Sequence, residues 1–468
     1  VTMPPCPKRL TRTLAGIACL SALALAGCTP STAGYTEVSA RHDAALPQDM
    51  PPMNRFGPER TDPPSRSNAE IARDFLDLSF MMESGRPIER LSRFEGPITV
   101  AVAAGAPATL GADLDRLIAR LRAEAGLDIR RVGAGDGPAG ITIETLPRDR
   151  MQRVVPQAAC FVVPRVSSWG EFRRARSGGT LDWTTLQTRE RVAVFIPSDV
   201  APQEIRDCLH EEVSQALGPL NDLYRLPDSV FNDDNFNAVL TGFDMLILRA
   251  YYDETLRSGM TRAEVAAALP EILSRLNPRG NRSAGGRISP TPRAWIEAIE
   301  TALGPGSSDR ARIAAAQNAV TIARNAGWTD GRLAFSHFAL GRLTLSSDVE
   351  TSVAAFQRAA GIYDRIAPNG IQTAHVDMQL AAFALSSGRA DEALRLTNAA
   401  MPAATRAQNA ALLSTLLMIR AEALEDVGRA SEARAVRLDS LAWGRYGFGA
   451  SAAVGARLTE VAALSPGG

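Results

Sequence analysis

One stretch of this sequence concentrates the side chains that could do chemistry. It reads Cys208-Leu209-His210-Glu211-Glu212-Val213-Ser214-Gln215-Ala216-Leu217-Gly218-Pro219-Leu220-Asn221-Asp222. Ser198 or Asp199 can cap a helix whose first turn holds Pro202, and Gly218 with Pro219 ends it. On that helix Glu212 shares a face with Ile205, Cys208, Leu209 and Ala216, so its carboxylate is expected to be at least partly buried. A buried carboxylate needs a partner or takes a raised pKa, which makes Glu212 a candidate acid or base. The alternative is a plain structural hydrogen bond. Other chemistries are excluded by what is missing. Lys8 is the sole lysine, so the folded part can hold neither a Walker phosphate loop nor a Schiff-base or pyridoxal-phosphate lysine. The four histidines, His42, His210, His337 and His375, are far apart, which argues against a His-rich metal site.

The spacing of the stretch resembles the zinc-protease helix His-Glu-x-x-His-x-x-Gly-x-x-His. In that motif two histidines one turn apart and a third after the glycine grip zinc, and the glutamate activates the bound water. The resemblance puts Glu211, Gln215 and Asn221 at the ligand positions, Glu212 at the general-base position and Gly218 at the turn. One carboxylate and two amide carbonyls suit zinc poorly and could at best hold a calcium-like ion. Moving the frame so that His210 becomes a ligand puts Ser214 one turn on, which does not restore a zinc site. Downstream, Asp228-Ser229-Val230-Phe231-Asn232 is similar to the Met-turn of matrixin-type metzincins, with Phe231 in place of methionine. Leu240-Thr241-Gly242-Phe243-Asp244 and Leu248-Arg249-Ala250-Tyr251-Tyr252-Asp253 resemble the closing helix of those enzymes. The whole, over about residues 68–277, also resembles a family of secreted bacterial proteins known only as a domain of unknown function. Its core reads Glu-Glu-x-x-Gln-x-Leu-Gly-x-x-Asn-Asp and ends here at Asp222. That likeness implies a fold and no activity.

Regular elements surround the stretch. An apolar-periodic helix runs from Asn68 through Ile71, Phe75, Leu76 and Phe80, and Pro97 to Val102 reads as a strand. Leu114, Leu117, Ile118 and Leu121 give a second helix one apolar face, stopped by Gly126. Short β-rich runs follow at 128–132, 140–145, 160–166 and 191–196. The expected fold is an α+β zincin-like domain over 67–277. After it come a Gly-, Pro- and Arg-rich linker over 278–292 and an all-α tetratricopeptide-like helical repeat domain over 293–460. The repeat has a period of 40 residues, aligning Gly388-Arg389-Ala390 with Gly428-Arg429-Ala430 and Ser346-Ser347-Asp348 with Ser386-Ser387-Gly388. Gly341, Ala381 and Ala421 fall in register, as do Val353, Ala393 and Ala433, where paired helices would cross closely. Trp328, Phe335, Phe338, Phe356, Tyr363 and Trp443 are expected to pack between helices. A plain helical bundle is the alternative.

The N-terminal region reads as an address. Lys8, Arg9 and Arg12 precede a short apolar run, Leu14 to Ala26, ending in Leu25-Ala26-Gly27-Cys28, which resembles a bacterial lipobox. The likeness implies a signal peptide over 1–27, lipid on Cys28 and, with Thr29 next, the outer membrane facing the periplasm. Residues 28–66, with seven prolines and no periodicity, read as a disordered tether. Cys6 and Cys19 leave with the signal and Cys28 carries lipid, so Cys160 and Cys208 remain as a disulfide candidate in an oxidising compartment, two buried thiols being the alternative. Such a bridge would stabilise by roughly 4 kcal/mol.

With 51 basic and 51 acidic residues there is no electrostatic footprint for nucleic acid. The expected protein is a non-catalytic, pseudopeptidase-like binding or scaffold module. Its partners are the membrane, through the lipid, and envelope proteins or peptides; it has no cofactor unless a weak oxygen-ligand metal site forms. The competing expectation is a hydrolase of peptide or cell-wall amide bonds with Glu212 as general base. A purely structural envelope spacer is a third.

Overall fold

The computed structural model describes residues 49–59, 61–133, 136–285 and 289–465. The expected signal peptide, Cys28 and the first part of the expected tether lie outside the described residues. Among the described residues no helix is long and apolar enough to cross a membrane.

The first half is a mixed α/β unit. Helix α1 (Asn68–Ser79) opens on a capping box between Ser67 and Glu70, and its Ile71, Phe75 and Leu78 are fully buried. Strands β1 (Ile98–Val102), β2 (Ile129–Arg131), β3 (Ile141–Leu146), β4 (Phe161–Pro164) and β5 (Val192–Pro197) form one sheet in the order β2-β1-β3-β5-β4. β4 alone runs antiparallel, with Phe161 opposite Phe195. All residues of β5 are buried, which is why it reads as an unbroken apolar run rather than an alternating one. Val192, Val194 and Ile196 face the layer that contains helices α2 (Ala108–Glu124) and α5 (Pro202–Leu217). Ala193 and Phe195 face a smaller cluster built on helices α3 (Arg148–Gln152) and α4 (Trp169–Ala175) with Met151, Trp169 and Phe172. Helices α6 (Gly242–Tyr251) and α7 (Arg262–Leu276) close the unit, both entered through capping boxes.

An all-helical region follows. Its helices among the described residues are α8 (Arg293–Leu303), α9 (Asp309–Asn325), α10 (Gly331–Thr344), α11 (Val349–Ile366), α12 (Ile371–Ser386), α13 (Ala390–Arg406), α14 (Ala410–Asp426), α15 (Ala430–Gly447) and α16 (Ser451–Ala462). α10 packs on α11, α12 on α13 and α14 on α15. The repeated Gly-Arg-Ala has a backbone cause: Gly388 and Gly428 take left-handed φ of 69° and 76°, after which Arg389 and Arg429 start the next helix. At Gly341 an added Cβ would lie 3.0 Å from the Phe356 ring, so the close crossing there needs glycine. Ala381, Ala421, Ala393 and Ala433 are fully buried, whereas Val353 is only half-buried.

Residues 49–59 and 61–66, read from composition as tether, run as extended chain across both halves. Asn54 N donates to Ala442 O at 3.0 Å, the Phe56 and Trp443 rings lie 4.3 Å apart, and Gln408 donates to Gly57 O at 2.9 Å. Arg66 ends this segment in ion pairs with Asp74 and Asp228. The expected linker is also pinned at Ser289, since Arg332 donates to Ser289 O and Trp328 to Ser289 Oγ. The described residues therefore make one compact unit. Phe56→Ala should lower stability in urea unfolding by about 1–2 kcal/mol through the lost aromatic pair and apolar contact. An unchanged midpoint would mean that the extended segment carries no weight.

Candidate functional site on helix α5

The helix bearing the motif begins two to three residues later than its polar residues suggest. Its N-cap is Ala201, with Pro202 as first helical residue and no side-chain cap. The Asp199 carboxylate accepts from Arg148 N instead. Burial then falls on nearly every face, including Gln203, Arg206, Cys208, His210, Glu212, Ser214 and Gln215. Cys208 is bonded to Cys160, so the expected disulfide is present and joins α5 to the residue preceding β4. At the other end Arg189, 3% exposed, donates to Gln215 O at 2.6 Å, Ala216 O at 2.7 Å and Gly218 O at 2.6 Å. Its guanidinium lies 4.9 Å from the Trp183 ring centre. A cation on the last carbonyls both satisfies orphan acceptors and complements the helix dipole.

The carboxylates have no such counterpart. Glu212 is 4% exposed and its Oε2 has no hydrogen-bond partner among the described residues, where the structural hydrogen bond expected for it is missing at that oxygen. Glu211 beside it is half-buried. Burial, with Asp233, Glu83 and Asp207 adding like charge, pushes Glu211 up to about 8. Burial, then Glu211 and Glu83, holds Glu212 well above the usual carboxylate range. Asp222 is raised in the same way, first by burial and then by Glu83, Asp233 and Glu211, and its Oδ1 is also unpartnered. Asp233 reaches about 6, again chiefly through burial.

The residues at the presumed ligand positions go separate ways. Gln215 Nε2 contacts Glu83 Oε1 at 3.5 Å, and Asn221 Nδ2 donates to Asp77 O at 2.9 Å. Glu211 instead lies with Glu212 and Cys160: one ligand atom from each falls within 4.8 Å of the others, and the Cys160 sulfur is held in the disulfide. His210 Nδ1 accepts from Leu240 N at 3.1 Å, and burial followed by Arg206, Arg120 and Arg116 keeps the ring neutral. It is a fastener for the chain, not a base. Three residues before Asn221, Gly218 lies against the Tyr251 ring, 3.0 Å from an added Cβ, which explains the glycine there. Phe231 is fully buried, and the turn carrying it is held by Asp244, which accepts from Ser229 Oγ at 2.5 Å and Val230 N at 3.1 Å. Glu83, Asp233 and Arg189 belong to this neighbourhood as much as the motif does, and no local spacing marks them.

Residues 68–271 match the model of a family described as Protein of unknown function (DUF2927). The chain carries a DUF2927 domain. That domain contains the whole carboxylate group, the disulfide and Arg189, and it stops short of the helical region. No curated protein matches the chain. Among solved structures, one titled "Crystal structure of BtubC (BKLC) from P. vanneervenii" is 13% identical, with a TM-score of 0.28, over 44% of this chain and 74% of that chain.

Two outcomes follow for the DUF2927 domain. Arg189→Met leaves three buried carbonyls without a donor and should lower stability by about 3 kcal/mol or more in urea unfolding. For Glu211 the folded protein binds a proton that the unfolded chain releases above its ordinary pKa of 4.5, so its stabilising share is complete below that value and is lost as pH rises towards about 8. Stability should therefore fall between those limits by up to about 1.4 kcal/mol per pH unit, and Glu211→Gln should flatten the slope.

Proposed function

We propose that the protein is a lipid-anchored component of the cell envelope. In this reading it is exported through the lipoprotein signal, held at Cys28, and works as a non-catalytic binding or scaffold module. Its α/β unit is a zincin-like pseudopeptidase and its helical unit a tetratricopeptide-like contact domain. Support for the zincin-like reading comes from the strand and helix order leading into α5, the chain reversal at Gly218 and the buried Phe231 turn. Support for the repeat reading comes from the three helix hairpins and the recurring left-handed glycines.

The observation that carries the non-catalytic reading is the enclosure of Glu212. A general base must reach the proton it removes, directly or through one water. Glu212 is 4% exposed, surrounded by like charge and fixed on a helix that is fastened at its bonded cysteine and at its C-terminal end. The hydrolase reading is favoured by one feature, the pair of adjacent carboxylates with raised pKa values, which is also what acid–base catalysis uses.

The discriminating experiment uses protein made in an oxidising compartment. Its bound metal is counted by elemental mass spectrometry, its envelope partners are captured by crosslinking, and both are repeated on Glu212→Gln. The expected result is no stoichiometric metal, the same partners and a variant as stable as the parent or more so, since an uncompensated buried carboxylate is gone. Turnover of a peptide or peptidoglycan library that disappears in Glu212→Gln would replace the binding reading with the hydrolase.

A further inference from the structure

Cys208 and Glu212 stand one turn apart on α5, the spacing at which a helix offers two ligands to one ion, and Glu211 adjoins them. Cys160 reaches the same point from the chain before β4. One ligand atom each of Cys160, Glu211 and Glu212 already lies within 4.8 Å of the others, and the Cys208 sulfur is one bond further on. Ligands on a tetrahedral ion with bonds of about 2.0–2.3 Å sit roughly 3.3–3.8 Å apart, so modest side-chain rotation would close this group. Glu212, 4% exposed with Oε2 unpartnered among the described residues, brings to this group a buried carboxyl with an unused acceptor.

We propose that the Cys160–Cys208 disulfide is the closed form of a redox-gated zinc site, whose ligands after reduction are the two thiolates and the carboxylates of Glu211 and Glu212. This goes beyond the binding reading and concerns residues other than the presumed ligand positions Gln215 and Asn221. In the oxidised protein the sulfurs carry no charge and only two good ligands remain. A dithiol reductant attacks the half-buried Cys160 in preference to the buried Cys208. The S–S bond breaks, Cys208 leaves as thiolate and Cys160 is held in a mixed disulfide. The reductant's second thiol then displaces Cys160, the reductant departs as its own disulfide, and two electrons have passed to the protein. Zinc binding sends to solvent the protons of the two thiols and those held by the Glu211 and Glu212 carboxyls. Two thiolates select zinc over magnesium or calcium, and the net charge of the filled site equals that of a four-cysteine zinc site.

The test uses the full chain, with and without dithiothreitol, incubated with Zn2+, desalted and analysed for metal, with Co2+ in parallel for its thiolate charge-transfer absorption. Reduced protein should retain about one zinc per chain and oxidised protein less than roughly a tenth of that, and Cys208→Ser or Glu212→Gln should weaken binding about tenfold or more. Where reduction alone unfolds the chain, zinc should restore a cooperative melt to the reduced wild type and not to Glu212→Gln. No uptake by folded reduced protein, equal uptake by oxidised protein, uptake indifferent to Glu212→Gln, or no rescue of the melt would each overturn the proposal. Metal in protein never exposed to reductant would instead count against the binding-module reading, so the two failures are distinct.

Discussion

Helix α5 is enclosed along almost its whole length, and an enclosed helix must satisfy its polar groups inside the protein. Much of the surrounding structure answers to that requirement. The last carbonyls are taken by Arg189, the Ser214 hydroxyl turns back onto His210 O and Glu211 O, and the N-terminal half is bonded to the helical region through Gln203 to Asn409 and Arg206 to Gln408 O. The Glu211 and Glu212 carboxylates are what this arrangement leaves over. With no cation beside them among the described residues, burial and mutual repulsion act in the same direction and favour the neutral form.

The same enclosure ties the two halves together. The chain that leaves α5 carries Phe236 into an aromatic group formed by Phe335, Phe338, Tyr363 and His375 of the helical region. Tyr224 meets Trp295 edge-on, Gln372 donates to Pro227 O, and Tyr446 donates to Asp113. The helical region is therefore a wall of the α5 neighbourhood as well as a helical stack. These aromatic side chains of the helical region are covered by the protein's own loop.

Much of this was legible where physics is local. Alternation and apolar runs located the strands to within about two residues, because a strand's face follows directly from period 2, and the helix face of Glu212 foretold its burial. The 40-residue spacing was legible because the left-handed turns at Gly388 and Gly428 use glycine, whereas the left-handed Asn369 and Gln408 give no such signal. Prolines misdescribed residues 49–59 and 61–66, since an aperiodic extended segment can be ordered by contacts such as Phe56 on Trp443 that no periodicity announces. Asp199 looked like a cap and proved to be a partner for Arg148 N, a choice made by the packing of α3 beside it. Glu83, Arg189 and Asp233 could not be found at all. Glu83 lies 132 residues from Gln215, and only the fold brings them together.

Charge and redox state at α5 are linked by the same geometry. A buried carboxyl pair can be neutralised by protons or by a cation, and the protein's sulfurs decide which is open to it. While Cys160 and Cys208 are bonded, protons suffice and the helix is fastened. Once they separate, two thiols stand beside Glu211 and Glu212, and a zinc ion can take the place of the protons on all four groups. Linkage is reciprocal, so an ion that binds the reduced form more tightly must favour reduction by the same factor, about 30 mV in potential for each tenfold in affinity. The carboxylates, which weaken the fold when uncompensated, would then set how readily the bridge opens.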